Sequence, residues 1–252
     1  MIRSIDTLSR NFNILQKRQE NISANVANIN TAGYKSQELI QSTLASKTMV
    51  NHLGGPQLDQ QQKLGGFTFG NQLDEVYKNF EPGALKGTSS QTDFALSGNG
   101  FFTLAGDDGQ TYYTKNGQFL ANENGELVNQ DGHRVMGKDA SGQPTPIQMN
   151  ATDFSVDSSG MINGTGLQLM LTEFENPAAL TSMGGTLYTG QGGAVMNGEG
   201  TVYQGMIETS NVKTVDEITN LMLVSREFGA NQKALSAADE TLKKAVNEIG
   251  RV

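Results

Sequence analysis

Apolar residues near the N-terminus fall at Met1, Ile5, Leu8, Phe12, Leu15, Ile22, Val26 and Ile29. With Gln19 counted as one polar member, their spacing alternates between four and three, the a/d seam of a heptad pattern. The pattern predicts a helix over 5–29, on the order of 37 Å long at 1.5 Å per residue. It should close at "NTAGYK", with Asn30 and Gly33 as the left-handed exit. The C-terminus repeats the design. Leu221, Val224, Phe228, Leu235, Leu242 and Ile249 follow the same alternation, with Ala238 and Ala245 as small members and Asn231 as a polar one. The predicted second helix spans 214–249. Thr214 and Glu217 form a capping box at its start, and Gly229 is a weak point worth about 1 kcal/mol relative to Ala.

Asn21, Asn25 and Asn28 stack beside the first seam at i, i+4 and i+7. Asn is a poor helix former because its amide competes with the backbone. Three on one stripe therefore call for a role.

Between the helices the period changes. Asp108-Gly109, Asn116-Gly117, Asn124-Gly125 and Asp131-Gly132 are hairpin dipeptides of the type I′ class. They predict short antiparallel strands at "QTYYTK", "QFLANE" and "ELVNQ". Further strands are expected at Phe94–Leu96, Phe101–Leu104, Phe154–Val156 and Leu167–Phe174. Residues 36–80, rich in Gln, Gly and Ser, read as an extended or partly ordered excursion. The fold class is α+β, with terminal helices paired as an antiparallel coiled coil and a mainly β centre. The expected domains are a discontinuous helical one (1–35 and 210–252), the excursion (36–80) and a β-rich body (81–209). The competing arrangement docks each helix separately on the body.

Composition narrows the function. The chain of 252 residues has no Cys, which excludes disulfides and thiolate metal sites. Its net charge of -8 is concentrated in the middle, so nucleic acid is not the expected partner. The longest apolar run, Leu221–Val224, falls far short of the roughly 20 residues of a membrane span. No apolar signal region begins the sequence, which suggests either a cytoplasmic protein or export without a cleaved signal.

Candidate chemistry is sparse. His52 and His133 stand alone, with no second ligand at metal spacing. "SGNGFF" and "MNGEGTVYQG" lack the phosphate-loop signature, and "GDDG" and "NENGE" do not match a calcium loop. No catalytic, cofactor or metal residue is nominated, and the chain is not expected to be an enzyme.

"ISANVANINTAGYK" (22–35) closely resembles the N-terminal signature of the bacterial flagellar rod and hook protein family. "GMIETSNVKTVDEI" (205–218) with "SREFGANQKALSAADETL" (225–242) resembles its C-terminal signature. "DFALSGNGFFTL" (93–104) and "YTKNGQF" (113–119) are similar to its core strand and hairpin. Ala24, Ser225 and Gly229 depart from the family pattern, and Gly229 bears on the stiffness of the second helix. Hook subunits are usually longer. "LGGFTFGNQLDEVYKNFEPGAL" (64–85) resembles the distal-rod stretch, whereas "SNVKTVDEI" would also suit a proximal-rod protein; the distal rod is the favoured reading, with a proximal-rod protein or short hook subunit as the alternative.

The resemblance implies a structural subunit of the basal-body rod that supports motility. It would polymerise helically into a hollow drive shaft, carry torque from motor to hook, and be exported by the flagellar type III apparatus. Implied partners are further copies of the chain, other rod and hook proteins, the surrounding rings and the export apparatus, with no cofactor. The helix-pairing seam is then Ile5, Leu8, Phe12, Leu15, Ile22, Val26 and Ile29 against Leu221, Val224, Phe228, Leu235, Leu242 and Ile249. Asn21, Asn25, Asn28 and Asn231 form an intersubunit polar stripe, fixing register without adding apolar surface to the free monomer. Readings from other classes are a secreted β-rich adhesin with a coiled-coil stalk and a wall-cleaving enzyme, for which no acid or histidine is nominated.

Overall fold

The computed structural model describes residues 2–53, 60–68, 70–149, 154–190, 194–195 and 200–249. The chain is α+β, with long helices α1 (Ile2–Ala27) and α2 (Thr214–Ile249) enclosing the strands in sequence. Two compact units result: Met1–Ala24, Gln37–Tyr77 and Val215–Val252 form the first, and Asn25–Ser36 with Lys78–Thr214 the second.

In the first unit, Leu15, Ile22 and Val224 are buried together, with Leu221 and Phe228 packed against them. The Phe12 and Phe228 rings are 4.0 Å apart between centroids. Asp216 and Glu217 occupy the first turn of α2, where the helix dipole favours negative charge. α2 runs unbroken through Gly229.

The stretch read as an excursion is β-structured. β1 (Gln37–Thr43) pairs with β4 (Asn71–Lys78), while β2 (Lys47–Leu53) and β3 (Gln60–Phe67) pair with each other in antiparallel register. The polar composition hides these strands, because few of their described side chains are buried.

The second unit contains the β body. Its early strands are β5 (Leu85–Gly87), β6 (Phe94–Ser97), β7 (Phe101–Ala105), β8 (Thr111–Thr114), β9 (Leu120–Ala121), β10 (Leu127–Val128) and β11 (Arg134–Lys138). Then follow β12 (Pro144–Pro146), β13 (Gln168–Leu169), β14 (Leu171–Phe174), β15 (Thr181–Gly184), β16 (Leu187–Thr189), β17 (Ala194–Val195), β18 (Thr201–Gln204) and β19 (Met206–Glu208). The main sheet runs β15-β16-β8-β7-β11-β10-β9, and β18 and β19 return to pair with β6 and β5. Fourteen buried apolar residues, among them Phe94, Phe102, Phe119, Leu127 and Ile147, make one core. Phe101, Phe174, Leu180 and Tyr188 make a second.

Four expectations need correction. The residues 154–156 give a single bridge, Val156 to Ile162, rather than a strand. Asp157 already opens a turn there, leaving too little chain to pair. Leu167–Phe174 is two short strands interrupted at Met170. The hairpins are not type I′, which needs positive φ at both central residues, because no described residue other than glycine has positive φ. The same fact removes Asn30 as a left-handed exit from α1; Gly33, at φ 67°, takes that conformation six residues beyond the helix.

The loops instead repeat another device. At Asn122, Asn129, Asp139 and Asp157 a side-chain oxygen accepts the backbone N–H groups two and four residues on. The glycine three residues on, Gly125, Gly132, Gly142 or Gly160, takes positive φ and closes the turn. The governing signal is therefore Asx-x-x-Gly, with the Asx as internal acceptor. At Gly125 and Gly132 the residue directly before the glycine is not that acceptor, whereas Asp108 before Gly109 does accept the Gln110 N–H and the Tyr112 hydroxyl. Asn116-Gly117 is no hairpin at all. A Cβ on Gly117 would stand 1.7 Å from the Phe94 carbonyl oxygen, so the glycine lets two backbones approach.

Asn129→Ala is expected to lower the unfolding free energy of the β body by about 1–2 kcal/mol through loss of two accepted hydrogen bonds. Asn124→Ala, at the dipeptide position, should change it by less than about 0.5 kcal/mol. Urea denaturation of the two variants checks the difference.

Candidate assembly site

The sequence nominates no catalytic residue, so the sites considered first are surfaces and the joints that hold them. Among the described side chains of α2, the two buried ones, Val224 and Asn231, both lie on the seam. Val224 is 1% exposed, Asn231 5%, and Leu221, Phe228, Leu235 and Leu242 are partly buried. The Ile249 side chain lies outside the described residues. On α1, Ile5, Leu8 and Phe12 are partly buried, while Leu15 and Ile22 are buried; the helix expected to reach 29 ends at Ala27, so Ile29, also partly buried, and Asn28 lie in the turn beyond it. Ile14, which the heptad spacing passes over, is also buried.

Val26 departs from the expected seam, being 37% exposed, and Asn25 takes the inward place at 1%. Asn25 belongs to the second unit rather than to the seam, and its burial comes from the packing around Tyr34 there. Asn25 is accordingly not on an outer stripe. Its Oδ1 accepts the Tyr34 hydroxyl at 3.2 Å inside the second unit. Asn21 and Asn28 are half-buried, and Thr31 donates to Asn28 Oδ1.

Asn231 also turns inward. Its Nδ2 donates to the Leu8 main-chain oxygen at 3.1 Å, and its Oδ1 has no partner. Arg18 pairs with Glu227 at 3.2 Å. These residues, with Asn11 and Gln41, line a polar groove of roughly 500 Å³.

The second feature joins three segments distant in sequence. Lys35 Nζ lies 2.6 Å from Glu208 Oε1 and donates to the Glu81 carbonyl at 2.8 Å, with both charged side chains almost fully buried. Gly83 N–H donates to the same Glu208 oxygen, and Gly33 N–H donates to the Glu208 main-chain oxygen. Asn211 completes the joint, accepting from Ser36 N–H and donating to the carbonyls of Asn79 and Glu81. Glycine is required twice. A Cβ at Gly33 would meet the Asn116 nitrogen at 2.4 Å, and one at Gly83 the Thr209 oxygen at 1.9 Å. "TAGYK", "NFEPGAL" and "IETSN" thus form one hydrogen-bonded clamp. Sequence reading used two of these stretches only as family signatures and gave Lys35 and Glu208 no role. Charged residues close to Gly and Asn were the signal available.

More cations crowd this neighbourhood. Lys115, 3% exposed, donates to the Gly98 carbonyl at 2.6 Å and lies 5.2 Å from the Phe101 ring centroid. Burial pushes its pKa down to about 8, with Glu208 opposing that shift and Lys35 adding to it. Lys78 Nζ sits 4.6 Å from the Tyr188 ring centroid with no hydrogen-bond acceptor, and burial lowers its pKa too. Burial raises the Tyr188 phenol. Among the described residues, no group of acids and histidines could hold a metal ion. His133 stacks on Tyr112 at 4.7 Å between centroids.

Two outcomes follow from the buried charges. Lys35→Met alone should destabilise the second unit by about 3–5 kcal/mol, because it strands a buried carboxylate. Lys35→Met with Glu208→Leu should recover most of that loss in chemical denaturation. The pH dependence has a definite sign. Between about pH 8 and 10 the unfolded chain keeps the Lys115 proton that the folded chain has released, so stability rises with pH. The slope approaches at most about 1.4 kcal/mol per pH unit. Above about pH 10, ionisation of tyrosine in the unfolded chain reverses the trend. Urea midpoints at pH 7.5, 8.5 and 9.5 should rise, and Lys115→Met should flatten them.

Three family models match the chain. Residues 5–35 match "Flagella basal body rod protein", residues 95–164 "Flagellar hook protein FlgE/F/G D1 domain", and residues 203–248 "Flagellar basal body rod FlgEFG protein C-terminal". Flagellar basal-body rod protein FlgG of Caulobacter vibrioides is 30% identical, over 90% of this chain and 92% of that protein. FlgG of Bacillus subtilis is 28% identical over 98% and 99%. Flagellar basal-body rod protein FlgF of Caulobacter vibrioides is 28% identical over 94% of both. The matches cover both terminal helices and much of the β body in chain order, and the chain belongs to the flagellar basal-body rod protein family.

Proposed function

We propose that this structural rod subunit works at the distal end of the rod, as part of a helical polymer whose hollow shaft carries torque to the hook. The observation that carries the reading is near-full-length similarity to FlgG proteins, from the first helix to the last. A proximal place is the second reading, favoured by the 28% identity to a FlgF protein.

Within the subunit, α1 and α2 pair as an antiparallel coiled coil. The contacts that support this run in opposite senses along the two helices: Leu8 with Asn231, Phe12 with Phe228, and Ile22 with Val224. The paired ends, residues 1–35 and 210–252, line the channel, and residues 81–209 are the β-rich domain. Other rod and hook proteins, the surrounding rings and the type III export apparatus are the partners. Helices with a thin apolar stripe fit that export route, since they pass unfolded and order when neighbours cover them.

Deletion of the gene, followed by electron cryotomography of basal bodies, tests the placement. A distal subunit predicts a rod that stops short of its full length and carries no hook. A shaft of normal length with a hook attached would contradict it. Phe228→Asp, placing charge against the Phe12 ring, is expected to give the same truncated rod when it replaces the natural chain.

A further inference from the structure

The geometry points to a head-to-tail contact between copies of this chain, in which the far end of α2 in one copy covers an apolar patch on the first turns of α2 in the next. This rests on the polymer reading above and names the contact that passes from subunit to subunit. The far end of α2 extends past the helix that covers the rest of it. Leu8 meets Asn231 and Phe12 meets Phe228, so each step back along α1 is a step forward along α2. α1 begins at Ile2, which falls level with about residue 238. Residues 239–249 then run on for roughly 16 Å. Val246 shows the consequence. It lies 18 residues beyond Phe228, five full helical turns, and so points the same way. Phe228 packs on the Phe12 ring, whereas Val246 is 69% exposed. The seam that closes the subunit continues past it uncovered.

The complement sits on the same helix. Val215, Ile218 and Met222 are exposed on one side of α2, within about 60° of one another. Met222 also lines a groove of roughly 630 Å³ with Leu221 and Phe228, which gives arriving side chains some depth. The spacing of the patch, three and then four, repeats that of Leu242, Ala245 and Ile249. Laid side by side in one direction with Val215 level with Leu242, the two stretches bring Ile218 to Ala245. The same alignment sets Asp216 and Glu217 level with Lys243 and Lys244. Lys243 already pairs with Asp239 at 3.2 Å, an exposed pair that a second acid can share. A slip of one turn loses both charge matches, so charge fixes the register. A second copy is favoured over a different protein because one helix carries both the apolar spacing and its charge complement, and because the uncovered face continues the subunit's own seam. Such a contact is heterologous, and growth stays open-ended.

The absence of native cysteine makes the test clean. Ile218→Cys and Ala245→Cys are introduced together, with Val215→Cys and Leu242→Cys as an independent second pair. The members of each pair are about 40 Å apart on their own helix, against a limit of roughly 7 Å for a disulfide, so any crosslink joins two copies. The variant replaces the natural chain in cells, and basal bodies are isolated and mildly oxidised. Non-reducing electrophoresis should show a ladder of dimers, trimers and higher species, while the two single variants supplied together should stop at dimers. Lys243→Glu with Lys244→Glu should lower the number of hooked basal bodies per cell about fivefold. Adding Asp216→Lys and Glu217→Lys in the same chain should recover most of that loss, and this swap decides alone where a cysteine pair blocks assembly. Rods of normal length without a ladder from either pair would overturn the contact and leave the rod reading standing. So would a charge reversal that costs nothing, or one that the swap does not recover. A double-cysteine variant that stops at dimers would overturn the head-to-tail arrangement. Basal bodies that lack the unsubstituted chain altogether would overturn the rod reading and the contact with it.

Discussion

The packing of α1 on α2 is the interaction on which the rest of the account depends, and it is thin. Three apolar side chains, Leu15, Ile22 and Val224, are fully buried there, against fourteen in the main core of the β body. Each is worth about 1.5–3 kcal/mol, while ordering one residue's backbone costs about 1–2 kcal/mol. Two helices of 26 and 36 residues therefore gain little from each other beyond their own hydrogen bonds. Exposed apolar side chains remain on α2, with Val215 at 75%, Met222 at 58% and Val246 at 69% exposed. A helix pair of this kind is close to balance alone and gains stability when another surface covers it.

The second unit solves a different problem. Residues 33–36, 79–84 and 208–211 come from three distant parts of the chain and must meet beside two helix junctions in the sequence. Hydrophobic contact fixes such a meeting poorly because it has no direction. The Lys35–Glu208 pair has direction, and its neighbours Gly33, Gly83 and Asn211 bring backbone groups to it at hydrogen-bond distance. A buried ion pair adds little net stability over apolar residues of the same shape. Its value is that wrong registers leave a charge stranded. The surplus of buried cations nearby, with Lys115 pushed down to about 8, adds a cost that the aromatic and aliphatic packing must carry.

Much of this architecture was legible in residue spacing. The second helix lies where its heptads put it, and the strands at Phe94 and Phe101 follow from dense apolar runs. Three of the four expected hairpin positions were readable from glycine, Asn116-Gly117 being the exception, but turn type was not. The deciding residue, such as Asn129, lies three places before the glycine, and its role is a side-chain bond to the backbone. Asn25 is buried and Val26 is not because the second unit begins at Asn25 and closes on it through Tyr34, a tertiary contact that helical spacing does not show. The strands β1 to β4 escaped notice because paired strands whose described side chains are mostly exposed leave no apolar alternation. The clamp at Lys35 was invisible for another reason: nothing in a linear pattern tells a buried lysine from a solvated one.

Hydrogen exchange of the helix amides, followed in dilute monomer and in the assembled filament, tests the central claim most directly. If the terminal helices are completed by neighbouring copies, amides of 5–24 and 215–245 should exchange readily in the monomer and become strongly protected in the filament, while those of the strands at Phe94 and Phe101 are protected in both. Helix amides already as protected in the monomer as those strands, and unchanged on assembly, would contradict the account.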